Sequence, residues 1–197
     1  MESEELEFYT EWLSLDKYHF KILTMITVLA DNKRAFRGKI SDLCKELSIQ
    51  ASAANTGKIK TALKLLAESG YINVIIDKDI YTVTLTKAAE KADNVRKIKR
   101  EWYKIIRQAD SEAAWEQLLK VFLYLIGLPQ GKDTILTYRQ IGKSLNCSVS
   151  TVERAIKTIC NLSFGDMVFK KNVIKEKMEN DFTITLGTAF TQGINFE

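Results

Sequence analysis

Proline is nearly absent from this 197-residue chain: Pro129 is the only one, so no proline-rich linker separates its parts and its turns have few rigid corners. Histidine is as scarce, with His19 alone. That excludes a zinc site built on a histidine pair. A hydrolytic triad could form only around His19, which lies in a helical stretch where a structural or surface role is the expected one. The cysteines Cys44, Cys147 and Cys160 are odd in number, show no CxxC spacing and each fall in an apolar helical pattern, which reads as free buried thiols in a reducing compartment. The longest apolar run, near Val121 to Pro129, covers about nine residues, where a membrane-spanning helix needs roughly twenty. The start of the chain is acidic where a secretory signal would be basic and then apolar. The expectation is a cytoplasmic protein with no membrane contact.

Phosphate-loop and redox motifs are missing too. Gly142-Lys143-Ser144 resembles the end of a phosphate-binding loop, but the position of the first required glycine holds Thr137 and the triplet lies within a helical pattern. There is no glycine-rich dinucleotide fingerprint and no pair of carboxylates on an inward face. The expected protein is not an enzyme and carries no cofactor and no metal.

What is present is an ordinary globular composition, 46% hydrophobic and 27% charged, in a chain long enough for two domains. The net charge of +4 is unevenly spread. Residues 1–16 hold Glu2, Glu4, Glu5, Glu7, Glu11 and Asp16 with no Lys or Arg, so they carry −6 and the remainder +10. This reads as an acidic N-terminal arm beside a basic body, able to contact a protein partner or to cover the basic face. Its Leu6, Phe8, Trp12, Leu13 and Leu15 imply that the arm also packs.

The most informative stretch is Thr137 to Ile159. Ile141 and Leu145 mark the inner face of one short helix, with small Gly142 where a second helix crosses closely. Cys147 fills the turn, Asn146 stands where a left-handed conformation is needed, and Ser148 is placed to cap the next helix. Val149, Val152, Ile156 and Ile159 then repeat at helical spacing. The spacing leaves Ser150, Thr151, Arg154 and Lys157 outward, cations for phosphate and short hydroxyls where base edges come closest.

Taken in order, Asp16 caps a helix from Lys17 to Ala30, a short strand or turn at Ala35–Gly38 follows, and helices run over Lys39–Leu47 and Thr56–Ser69, the last stopped by Gly70. The period then changes to two: Tyr71–Ile76 and Ile80–Leu85, split by Asp77-Lys78-Asp79, read as a hairpin. Thr86–Gln108 reads as a basic connector helix, packing on both domains, serving as a dimerisation helix or lying along a DNA backbone. The order then repeats: a helix capped by Ser111 and broken at Pro129-Gln130-Gly131, a strand at Thr134–Thr137, the two central helices, and strands at Met167–Lys175 and Phe182–Leu186. Superposing the halves sets Leu43, Leu47, Ile59 and Leu63 on Ile141, Leu145, Val152 and Ile156, with about five more residues between the central helices of the first half.

Helix, strand, two helices and a hairpin, given twice, resembles the tandem winged-helix proteins of phages and plasmids, which include replication initiators and small regulators. The resemblance covers nearly the whole chain in layout, and its sharpest motif is the second helix-turn-helix. It implies a mainly α fold with small β-hairpin wings: an acidic arm (1–16), winged-helix domain 1 (17–86), a connector helix (87–110), winged-helix domain 2 (111–190) and a tail (191–197). It also implies binding of double-stranded DNA, with homodimer formation left open. Candidate DNA contacts are Asn55, Thr56, Lys58, Lys60 and Lys64 in the first half. In the second they are Ser148, Ser150, Thr151, Arg154 and Lys157, with Lys170 and Lys171, and also Lys175 and Lys177, on its wing. Lys78 is the wing candidate of the first half. Arg154 is the expected base reader; Lys60, Lys64 and Lys157 are expected on phosphate. The alternative is a winged-helix adaptor whose arm and first domain contact a protein.

Overall fold

The computed structural model describes residues 5–31, 34–86, 94–130, 133–165, 167–177 and 184–194, with side chains described as far as Lys171. The chain is mixed α+β, with short helices and small antiparallel sheets, and divides into two compact units, Met1–Arg100 and Glu101–Glu197.

The acidic segment is not a free arm, and the basic stretch after residue 86 is not one helix. Glu5–Tyr9 forms strand β1, and Val95–Lys99 forms strand β5 antiparallel to it. The register sets Glu5 opposite Lys99 and Glu7 opposite Lys97, with the Lys97 Nζ 3.1 Å from the Glu7 carboxylate. Leu6 and Ile98, opposite each other, are both buried. The first piece has a period of two, its acids alternating with Leu6 and Phe8, and the second offers Ile98 between Lys97 and Lys99, so the apolar pair Leu6–Ile98 meets on one face and opposite charges pair on the other. A 3-10 turn at Thr10–Ser14 then buries Trp12 and Leu13. Residues 87–93 of the expected connector lie outside the described residues.

Helix α1 (Lys17–Leu29) starts at Asp16, whose carboxylate accepts from the Tyr18 amide at 2.8 Å and the His19 amide at 3.2 Å. Burial pushes that carboxyl up, but hydrogen bonds from the His19 side chain and the two amides outweigh it and hold Asp16 below its ordinary value. Strand β2 (Ala35–Gly38), helices α2 (Ile40–Glu46) and α3 (Ala53–Glu68), and strands β3 (Ile72–Asp77) and β4 (Ile80–Leu85) complete unit 1, the sheet running β2-β4-β3. The hairpin turns at Lys78, which takes a left-handed φ of 57°. Gly70, at φ 79°, ends α3 as its position required.

Unit 2 takes in most of helix α4 (Arg100–Gln108), then helix α5 (Trp115–Leu125), strand β6 (Thr134–Leu136), helices α6 (Tyr138–Leu145) and α7 (Val149–Ile159), and strands β7 (Met167–Lys177) and β8 (Ile184–Ile194) in the order β6-β8-β7. From its first buried helix onward this is the element order and sheet order of unit 1. Ser111 does not cap α5, which begins four residues later; its hydroxyl accepts from the Ala113 amide at 3.1 Å instead. Trp102 of α4 packs its ring 6.0 Å from Phe122, which lies 4.6 Å from Phe164 and 5.8 Å from Phe169. The second wing strand, expected to end at Leu186, runs on through 187–194, taking in the first four residues of the expected tail, as β8, the middle strand of its sheet, pairing Thr188 with Leu136 on one side and Val173 on the other. That strand carries Gly187 and Gly193 and loses its apolar alternation, so its pairing comes from the two neighbours rather than from its own pattern. Phe182 and Thr183 lie outside the described residues.

Candidate nucleic-acid interface

The turn between α6 and α7 is closely specified. Thr137 opens α6: its hydroxyl accepts from the Gln140 amide at 3.1 Å while the Gln140 side-chain oxygen accepts from the Thr137 amide at 2.8 Å, satisfying two helix-end donors at once. Asn146 ends the helix at φ 52°, ψ 47°. The Cys147 amide then donates back to the Gly142 carbonyl at 2.9 Å. A Cβ at Gly142 would stand 2.7 Å from the Cys147 carbonyl oxygen, so the turn closes only over a glycine. Ser148 caps α7, accepting from the Thr151 amide at 3.2 Å. The buried Lys120 of α5 donates from Nζ to the Leu145 carbonyl at 3.0 Å, tying the end of α6 to the helix beneath it.

Unit 1 repeats this turn. Ser48 takes the left-handed conformation at φ 56°, and the Ile49 amide donates to the Cys44 carbonyl at 3.0 Å. Gln50 and Ala51 then lengthen the loop before Ser52 caps α3 by accepting from the Asn55 amide at 3.2 Å. The buried Ile59, Ala62, Leu63 and Leu66 match Val152, Ala155, Ile156 and Ile159. The extra length between core positions is therefore divided between two loop residues and an additional turn at the start of α3. Cys44 is fully buried, whereas Cys147 and Cys160 are half-buried rather than enclosed. Burial pushes all three thiols up, so the thiolate is scarce at neutral pH.

The outer face of α7 is Ser150, Glu153, Arg154 and Lys157, all exposed. Two assignments from spacing are reversed. Thr151 is 7% exposed and its hydroxyl hydrogen-bonds Ser148 Oγ at 2.8 Å, whereas Val149, expected inside, is 47% exposed. One position of helical phase explains both: Thr151 precedes Ala155 by one turn and shares its buried side, and Val149 precedes Glu153 by one turn and shares its outer side. The Arg154 Nε donates to the Ser150 carbonyl at 3.2 Å, which lays the stem along the helix toward its N-terminal end. Spacing within α7 alone also missed the exposed Arg139 and Lys143, on the neighbouring α6.

On the wing, Lys170 is exposed and Lys171 is half-buried with its ammonium 5.0 Å from the Tyr138 ring centre. Lys175 and Lys177 belong to β7, with side chains outside the described residues. At the C-terminal end of α7, Asp110 and Glu112 share a groove of ≈ 390 Å³ with Arg154 and Lys157. The Ser111 hydroxyl fixes that acidic loop to α7 through Thr158 at 2.9 Å. The positive field along α7 is thus opposed at its C-terminal end and reinforced at its N-terminal end by the unpaired helix amides.

The matching face in unit 1 differs. Lys58, Lys60 and Lys64 are exposed on α3, Lys64 being 3.8 Å from Glu68. The Asn55 side-chain Nδ2 donates to the Gln50 carbonyl at 2.9 Å and the Thr56 hydroxyl to the Ser52 carbonyl at 2.9 Å, so both side chains serve the loop they start from. The wing tip places Lys78 between Asp77 and Asp79, and Lys39 reaches Asp79 at 2.6 Å. That contact raises the Lys39 ammonium and lowers the Asp79 carboxyl. Behind the tip, Ile75 and Ile76 are 67% and 57% exposed. Among the described residues no group of three or more His, Cys, Asp or Glu could hold a metal ion, and no helix is long and apolar enough to cross a membrane.

Compared with protein-family models and with curated proteins, the chain matches none.

Proposed function

We propose that this chain is a sequence-specific double-stranded DNA-binding protein built from two winged-helix units, a transcriptional regulator or a replication initiator of a mobile element. The observation that carries the reading is the outer face of α7. Ser150, Arg154 and Lys157 stand exposed on a helix whose approach is set by the Thr137 box, the Gly142 contact and the Ser148 cap. A helix fixed this firmly can enter a major groove, with Arg154 reaching guanine O6 and N7 through its planar fork and Lys157 neutralising phosphate. Lys170 on the wing adds a second backbone contact.

Unit 1 supports a different role within the same protein. Its wing tip sets Lys78 between two acids and Asp79 against Lys39, which leaves no net positive charge to draw phosphate, and exposed Ile75 and Ile76 suit a protein surface better than a groove. We assign DNA reading to unit 2, and to unit 1 a contact with protein, a second copy included.

Binding to duplexes, followed by anisotropy across a salt titration, is the test. A protein of this kind binds with log K falling linearly in log salt, and failure to bind any duplex at low salt overturns the reading. Arg154→Ala is expected to lose about 1–3 kcal/mol on the preferred site and little on random duplex. Lys64→Ala, if α3 also touches DNA, lowers affinity for all sequences alike and reduces the salt slope by about one. An unchanged slope restricts DNA contact to unit 2. The double substitution Asp110→Asn, Glu112→Gln is expected to tighten binding about two- to fivefold at low salt, because it removes two acids facing Arg154 and Lys157. Selection from a random duplex pool completes the picture: a palindromic site means a symmetric dimer, and a direct repeat means head-to-tail assembly.

A further inference from the structure

Two residues on the outer face of α7 have no place in a merely electrostatic interface. Glu153 is an exposed acid between Ser150 and Lys157, and it forms no ion pair among the described residues although Lys157 stands one turn further on. Val149 is an exposed β-branched apolar side chain on the first turn of the helix. A carboxylate on a phosphate-facing helix works against binding, and a valine left 47% exposed gives the fold only part of its apolar surface. Both make sense at base edges. A carboxylate is an acceptor only, and the major-groove edge of cytosine is the one that offers a donor, N4, without an adjacent acceptor. A valine methyl finds its apolar counterpart in the thymine C5 methyl.

Resting on the DNA-binding reading above, we infer that Glu153 and Val149 are specificity-determining residues of this chain, Glu153 selecting cytosine and Val149 thymine, beside the guanine assigned to Arg154. Val149 and Glu153 lie in the N-terminal half of α7 outside the acidic groove, and Arg154, which borders that groove, lays its stem back toward Ser150, so the face reads a short subsite containing C, T and G. Glu153 acts mainly by rejection: it repels phosphate and the acceptor-rich edge of guanine, so it weakens random duplex while sparing a site with cytosine opposite it.

Site selection from a random duplex pool with the full chain, followed by affinity measurements on the selected site, tests this. Glu153→Gln is expected to lose the cytosine preference at one position, to weaken the selected site about tenfold and to tighten random duplex severalfold. Replacing the selected thymine by uracil, which lacks the methyl group, is expected to weaken the wild-type protein about threefold and Val149→Ala not at all. Glutamine keeps the volume of Glu153, and both positions are exposed, so unchanged melting curves separate recognition from folding. If the wild type selects a motif and Glu153→Gln leaves every position of it unchanged, the inference fails while DNA binding stands. If the wild type selects no motif, both fail together.

Discussion

Lys120→Ala is expected to destabilise unit 2 by about 3 kcal/mol, the largest loss from any single polar side chain in it. The lysine is 1% exposed, its stem lies within the core of α5, and its ammonium donates to the Leu145 carbonyl at 3.0 Å. Truncation removes three buried methylenes at about 0.8 kcal/mol each. It also leaves the Leu145 carbonyl with only the weak Cys147 thiol donor at 3.4 Å, at a cost of about 1 kcal/mol or more, and the relief of no longer burying a charge offsets part of that sum. Lys120→Met separates the contributions, since it fills the same space without donor or charge, and is expected to cost only about 1 kcal/mol. Urea unfolding monitored through the tryptophans reads both, as a lowered midpoint with an unchanged slope. A loss under about 1 kcal/mol for the alanine variant would show that the tie between α5 and the end of α6 is dispensable. Because that tie lies under the turn leading into α7, the proposed reading of DNA by α7 further implies weaker duplex binding by the alanine variant, and much less loss by the methionine variant.

The features legible in the sequence are those that depend on neighbours close along the chain. Apolar spacing located α1, α2, α3, α6 and α7 to within a few residues; the caps at Asp16 and Ser148 and the glycine contact at Gly142 are local chemistry and stand where their residues required. The doubled order of elements was visible for the same reason, because buried positions recur as a set. What was missed depends on partners far away in sequence. Strand β1 has only five residues, and the strand that completes it lies almost ninety residues on, inside a run whose Ala89, Ala92, Val95, Ile98, Trp102 and Ile105 recur at helical spacing. Strand β8 has no strong pattern of its own and is held by β6 and β7. Within the candidate site, Thr151 and Val149 exchanged faces because the first turn of a helix takes its phase from the turn that delivers it, and a repeat of four apolar positions cannot define that phase. Glu153 was overlooked since a search for cations passes over the one acid on the face, although its helical position gave its exposure as plainly as that of Arg154.

Removing residues 1–16 is expected to unfold unit 1. As a solvated acidic arm, this segment could be deleted at no cost in stability, and the basic body left behind would bind DNA more tightly. Instead its Leu6, Phe8, Tyr9, Trp12 and Leu13 are all buried, at 6% exposure or less. Each contributes roughly 1.5–3 kcal/mol by burial, so together they approach the whole stability of a small domain, about 5–15 kcal/mol. Deletion would also leave Ile98 without its cross-strand partner and strip Lys97 and Lys99 of Glu7 and Glu5. Trp12→Ala is the graded version: the ring lies 5.0 Å from Tyr9 and 6.4 Å from Phe8 at 1% exposure, and its loss should cost about 3–5 kcal/mol. Hydrogen exchange resolves the outcome by unit, with protection lost in α1 to β4 and kept in α5 to β7. Full protection in the deleted chain would return these residues to the status of an arm; loss confined to unit 1 makes them the first strand of its core, their acids matched to the cations of β5 rather than kept free for a partner.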